Sequence, residues 1–141
     1  MNKPVVILLA EDEEAHAALV RRSFAGCRIA NQVIHVDDGE KLLDYLYRRN
    51  NFSDPSDSPL PGLVLLDLRL PKLSGMEVMM TIKADPALKH VPVVILTTST
   101  SEQSKAEARA LNASGYIIKS DLFYARTDET MEMFCKLMGG E

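Results

Sequence analysis

The sequence has little cysteine, no excess of positive charge and no long apolar run, and each absence narrows the field. Of 141 residues only Cys27 and Cys135 are cysteines. They are far apart and show no metal-ligand spacing, so neither a zinc site nor a disulfide framework can be argued from them. Two reduced, packed thiols in a cytoplasmic protein are the expectation. The formal net charge is −4, with 16 Lys and Arg against 20 Asp and Glu, which gives nucleic acid no electrostatic footprint to bind. The apolar stretch Val5–Ala10 runs straight into four acids, Glu11, Asp12, Glu13 and Glu14, so it lacks a signal peptide's pattern. It is also far short of the ~20 residues needed to cross a bilayer. Internal repeats and linkers are absent too. What remains is an ordinary globular composition, 46% hydrophobic and 26% charged, in a chain long enough for one domain that stands without disulfides. Residues 1–141 are therefore expected to form a single soluble domain.

Short apolar runs alternate with helical patterns. Val5–Ala10 is compact and branched, as a strand buried on both faces should be. Glu14–Ala25 carries Ala15, Leu19, Val20 and Phe24 at helical spacing. A shorter strand spans 32–36. Asp38 can cap a helix over 39–49 with Leu42, Leu43 and Leu46 on its inner face. The stretch 50–62 holds Pro55, Pro59 and Pro61 among several Ser and Asp residues and reads as a long loop, more ornament than contact surface. Leu63–Asp67 is the third strand. Pro71 and Gly75 bracket a turn before a helix that carries Met76, Met79 and Ile82 inward and stops near Asp85-Pro86. Val93–Thr97 is the fourth strand. Thr100 and Gln103 form a capping-box pattern for a helix to residue 111. A fifth strand ends at Lys119, and a last helix starts near Thr127 with Met131, Phe134, Leu137 and Met138. Five βα units predict a doubly wound, flavodoxin-like parallel sheet with helices on both faces.

In such a sheet ligands bind beyond the carboxyl ends of the strands, at the topological switch point. The first strand ends in Glu11-Asp12, the third in Asp67, the fourth in Thr97 and the fifth in Lys119. Three carboxylates, a hydroxyl and an ammonium would share one crevice. Each residue alone has a plainer reading. Asp12 can be a helix cap, Thr97 a β-branched strand residue, and Lys119 a surface lysine. Asp67 follows four apolar residues and precedes Leu68, with no evident local cap to make. As a set they are more specific. Crowded carboxylates repel unless a cation is present, and Mg²⁺ suits a site of few carboxylates plus water and phosphate. A carboxylate held there is a competent nucleophile toward phosphorus, and the cation, ammonium and hydroxyl would neutralise the phosphoryl oxygens.

The ordered motifs Leu8-Leu9-Ala10-Glu11-Asp12, Leu65-Leu66-Asp67-Leu68-Arg69-Leu70-Pro71, Gly75-Met76-Glu77, Pro92-Val93-Val94-Ile95-Leu96-Thr97 and Gly115-Tyr116-Ile117-Ile118-Lys119 cover about residues 5–137. Together they resemble the receiver domains of response regulators, with the CheY-like fold. The resemblance implies a phosphoprotein of a two-component system rather than an enzyme. Asp67 looks like the phosphoacceptor. Asp12 looks like the direct Mg²⁺ ligand, Glu11 a ligand mainly through water, and the backbone carbonyl of Arg69 another ligand. Thr97 and Lys119 would contact the phosphoryl group, and Thr97 and Tyr116 would be the switch pair. The long loop at 50–62, the Leu96-Thr97-Thr98-Ser99 segment and Lys119-Ser120 resemble the phytochrome-associated response regulators in particular, which are single receivers. The partner implied is a sensor histidine kinase, of phytochrome type by that subfamily likeness. Because no output domain follows Glu141, output is expected by protein contact or phosphorelay. A symmetric homodimer is expected through the fourth helix, fifth strand and last helix.

Two positions depart from the common receiver pattern. Ser120 stands where a proline usually follows the lysine, and a trans bond is expected there because a cis bond before serine costs ~3–4 kcal/mol. Arg69 is an uncommon residue two places past the acceptor and is expected to face solvent. Three other readings compete. A haloacid dehalogenase-type phosphatase needs a second acid two residues after its nucleophile, and that position is Arg69. A flavodoxin-type cofactor module needs a phosphate-cradling loop after the first strand, where this chain has four acids and no glycine-rich segment. A pseudo-receiver would bind partners without being phosphorylated, against which the intact acceptor set argues.

Overall fold

In the computed structural model, residues 5–25, 31–54, 59–97, 106, 109–110 and 112–118 are described. The chain forms β1 (Val5–Ala10), α1 (Glu14–Ala25), β2 (Asn31–Val36), α2 (Gly39–Tyr47), a 3₁₀ turn (Asn50–Phe52), β3 (Leu63–Asp67), α3 (Gly75–Ala84), β4 (Val93–Thr97) and β5 (Gly115–Ile118). Residues 106, 109 and 110, between β4 and β5, are also helical. The expected capping box at Thr100, the last helix, Cys27, Cys135 and Lys119-Ser120 lie outside the described residues.

All five strands run parallel in the order β2-β1-β3-β4-β5. This is the flavodoxin-like order predicted, and its switch point falls between β1 and β3. The chain leaves β1 toward one edge of the sheet and then returns past it. Right-handed crossovers place helices of opposite travel on opposite faces. Packing follows that rule. Leu8, Ala10, Val64, Leu66, Val93 and Ile95 lie in one core with Leu42, Leu43 and Leu46 of α2 and Val78, Met79 and Ile82 of α3. Ile7, Leu9, Leu63, Leu65, Val94 and Leu96 lie in the other with Ala17 and Val20 of α1. The period-two alternation of strand side chains thus supplies both cores, and all five residues of β3 are buried. Cutting one of its leucines to alanine would cost about 2–5 kcal/mol.

Three helix details differ from the sequence expectation. On α1 the buried residues are Ala17 and Val20, whereas Ala15 is exposed and Leu19 partly buried. The inward face is turned because Ala17 and Val20 pack in the core with Ile7 and Leu9. On α3 Val78 is buried and Met76 only half-buried, and Val78 packs in the core with Leu66 and Ile95. Helix α2 ends at Tyr47, before the expected Arg49. Arg48 adopts a left-handed conformation (φ 53°, ψ 52°) and its N–H donates to the carbonyls of Asp44 and Tyr45, closing the helix without a glycine.

Candidate functional site

The acids that end β1 and β3 meet at the switch point. One carboxylate oxygen from each of Glu11, Asp12 and Asp67 can be chosen so that all three lie within 4.8 Å of one another. Glu11 is fully buried, Asp67 is 6% exposed, and Asp12 faces solvent. The strands set this arrangement through their register. Ala10 pairs with Leu66, so the residues that follow each strand emerge side by side.

Local bonds orient the acids. The Arg69 N–H donates to Asp67 Oδ1 at 2.9 Å. Asp67 therefore does make a local turn bond, contrary to the sequence expectation, and that bond fixes one oxygen of its carboxylate. Arg69 itself is exposed, as expected. The Glu13 N–H donates to Glu11 Oε2 at 3.2 Å, so Glu11 closes the turn into α1. Asp12 makes no such bond among the described residues, which removes the plain helix-cap reading for it. Behind Glu11 the backbone is tied to β2. Its N–H donates to the Val36 carbonyl at 3.0 Å, and His35 Nε2–H donates to its carbonyl at 2.6 Å. Two imidazoles surround the acids: His16 Nδ1 lies 3.0 Å from Glu13 Oε2 and 3.7 Å from Glu11 Oε1, and His35 Nδ1 lies 3.6 Å from Glu14 Oε2. Sequence reading missed both histidines. Each interrupts an element pattern as a single polar residue, and nothing in the spacing joins them to Glu11.

The loop after Asp67 is held by its glycine. A Cβ on Gly75 would sit 2.5 Å from the Asp67 carbonyl oxygen and 2.5 Å from Leu68 Cα, and the Gly75 N–H donates to the Leu68 carbonyl at 3.0 Å. Only glycine lets the start of α3 approach the end of β3 so closely. Ser74 caps that helix, accepting from the Glu77 N–H at 3.2 Å, and Glu77 Oε1 accepts from Ser74 Oγ at 3.4 Å. Ser74 is thus a side-chain N-cap, which the sequence reading overlooked, and Glu77 bonds its hydroxyl rather than its backbone N–H.

Of the other predicted residues, Thr97 is the last of β4, one step past the Leu96 that pairs with Asp67, and it pairs with Ile118. Thr97 thus stands on the same edge as the acids. Tyr116 pairs with Ile95 and is half-buried against the core shared with α2 and α3. Lys119, the next residue after Ile118 in the sequence, lies outside the described residues.

Three carboxylates, two of them buried, converge at the strand ends. Such a donor set suits a hard divalent cation. No helix among the described residues is long and apolar enough to cross a membrane.

Comparison with known proteins agrees with this geometry. The model of the response regulator receiver domain family matches residues 7–122. Response regulator Rcp1 of Synechocystis is 40% identical over 126 residues, which cover 86% of this chain and 84% of that protein. The phosphorylated cyanobacterial phytochrome response regulator RcpA superposes with a TM-score of 0.77 at 32% identity, covering 97% of this chain and 91% of that one. The Mn²⁺-bound form of Rcp1 superposes with a TM-score of 0.74 at 34% identity, covering 96% and 91%. RcpA, a phytochrome response regulator, matches the phytochrome-associated group that the sequence resembled. With the sheet order, the acid cluster and the matched span in hand, the chain belongs to the response regulator receiver domain family of two-component signalling.

Proposed function

We propose that this receiver takes a phosphoryl group on Asp67 from the phosphohistidine of a sensor kinase, in a reaction that depends on Mg²⁺. The observation that carries the reading is the gathering of Glu11, Asp12 and Asp67 within 4.8 Å at the switch point. A carboxylate oxygen of Asp67 attacks phosphorus; the new P–O bond forms as the P–N bond to the donor imidazole breaks. Asp12, exposed, and Glu11, buried beneath it, would hold the cation, with Glu11 acting mainly through water and the Arg69 carbonyl completing the set. Bound there, Mg²⁺ would offset the charge of the acids and of the phosphoryl oxygens. Thr97 and Lys119 would hold the phosphoryl group from the neighbouring strands, and Tyr116 would follow Thr97 as the switch.

The kinase is of phytochrome type in this reading, because RcpA is a phytochrome response regulator and its likeness runs over nearly the whole chain. The protein acts in the cytoplasm, by contact or relay, as a homodimer through the fourth helix, β5 and the last helix. A small phosphodonor such as acetyl phosphate with Mg²⁺ should add one phosphoryl group by intact-mass measurement, and Asp67→Asn should add none. Phosphate retained in that variant would move the acceptor elsewhere.

A further inference from the structure

The β2–α2 junction contributes no group to the proposed reaction, yet it touches both loops that do. On one side Val36 and His35 hold the backbone of Glu11. On the other, the first residues of α2 press on the β3–α3 loop, residues 68–74. A Cβ on Gly39 would stand 2.4 Å from the Leu73 carbonyl oxygen, 2.8 Å from Leu73 Cβ and 3.0 Å from Val78 Cγ2. The Gly39 N–H points to the Pro71 carbonyl at 3.4 Å. Buried Asp38 uses both carboxylate oxygens: Oδ1 accepts from the Lys41 N–H at 2.7 Å and caps α2, while Oδ2 lies 3.5 Å from Lys72 Nζ. Lys72 is left-handed, with φ at 68°, a conformation that a non-glycine residue keeps only when its surroundings hold it there.

We infer that Asp38 and Gly39 are positioning residues for the metal site: the α2 N-terminus clamps the β3–α3 loop and so sets the segment that follows Asp67 against Glu11-Asp12. This rests on the receiver reading above. The clamp works at close range. Gly75 fastens the loop to the end of β3, Gly39 fastens its middle to α2, and α2 is itself tied through β2 to Glu11. A loop held at both points has little freedom to retreat from the cation, so ordering is done before the ion arrives. Residues that orient a metal's ligands typically change affinity by 10- to 100-fold when lost.

The test is Mg²⁺ binding by isothermal titration calorimetry on the full chain, with folding checked by circular dichroism. Gly39→Ala places a Cβ where only backbone fits, and should raise the Mg²⁺ dissociation constant about ten-fold or more. A purely structural role would lower the unfolding midpoint and leave the constant of the folded protein unchanged. Lys72→Met reads the same clamp from the other side, and its sign is informative. Removing a positive charge tightens cation binding if charge alone matters, and weakens it if the loop is released. A folded Gly39→Ala protein that binds Mg²⁺ within about two-fold of wild type overturns the inference, taking ten-fold as the smallest loss expected. Should Gly39→Ala not fold, Lys72→Met decides: weaker binding supports the clamp, and equal or tighter binding overturns it. Wild-type protein that binds Mg²⁺ but takes no phosphate from acetyl phosphate overturns the acceptor reading instead, and the two constants still judge the clamp.

Discussion

Replacing Asp12 by asparagine separates the two roles a carboxylate can have at this site, because it should move stability in opposite directions with and without metal. Without metal, Asp12 is a charge beside two others. At 4.8 Å a pair of like charges repels by about 0.9 kcal/mol at the dielectric of water and about 3.5 kcal/mol at an effective value of 20. Asp12 is exposed, so the lower figure applies, and with two neighbours the relief on neutralising it is about 1–2 kcal/mol at low ionic strength. No cap is lost, since Glu11 rather than Asp12 closes the turn into α1. The variant should therefore unfold at higher urea than wild type in chelator. Mg²⁺ should reverse the order. A ligand at a hundred times its dissociation constant stabilises by about 2.7 kcal/mol, and a site that has lost a hard ligand gains little of this. Urea titrations in chelator and in Mg²⁺, at low salt, give the four midpoints. A variant less stable than wild type in chelator would mean that Asp12 supports the fold. Equal stabilisation of both proteins by Mg²⁺ would mean that it is no ligand.

Other expectations follow from single contacts. Gly75→Ala leaves its Cβ about 0.9 Å short of ordinary contact with backbone at Asp67 and Leu68, so it should cost about 1–3 kcal/mol of overpacking, offset by up to ~1 kcal/mol of helix propensity. Its urea midpoint should fall and its phosphorylation by acetyl phosphate should slow; two unchanged values would show that the loop is soft. Burial pushes the Tyr45 phenol up to about 12, so this group keeps its proton where an unfolded chain's tyrosine, near 10, has lost it. Stability should hold below about pH 10 and then fall by about 1.4 kcal/mol per unit toward pH 12. Tyr45→Phe should remove that part of the alkaline loss, as read by urea midpoints, and an identical slope in the variant would assign the loss elsewhere.

The sheet and its acid cluster were legible because both depend on local signals. β1, β3 and β4 are compact apolar runs, and each leads straight into a site residue, so the parallel order alone brings Glu11, Asp12, Asp67 and Thr97 to one edge. The helix faces were less legible. Ala15 and Ala17 are equivalent in an apolar pattern, yet packing against Ile7 and Leu9 chose Ala17. The bond from the Arg69 N–H to Asp67 depends on turn geometry that four apolar neighbours do not report. The ties of His35 to Glu11 and of Gly39 to Leu73 join residues 24 and 34 positions apart. No spacing rule reaches that far. The sequence offered Asp38 as a helix cap, and the cap is there, but its second oxygen turned toward Lys72 is a property of the folded chain alone.

The long connection before β3 shows how position limits what a segment can do. Its length suggested ornament, and its described parts are fastened to the core at three places. Tyr45 Oη–H donates to the Pro59 carbonyl at 2.6 Å. The rings of Tyr45 and Phe52 meet edge to face at 5.3 Å. The Gly62 N–H donates to the Val6 carbonyl at 2.8 Å, which feeds the chain into β3 beside β1. Extra length between fixed points is cheap, since each doubling of a loop costs only about 0.6 kcal/mol of closure entropy. All three fastenings guide the chain into the amino end of β3, whereas Asp67 closes its carboxyl end. In a parallel sheet those are opposite edges. The described ends of the loop therefore lie at the edge away from the acid cluster, and Tyr45 joins them to α2, whose first residues press on the loop after Asp67.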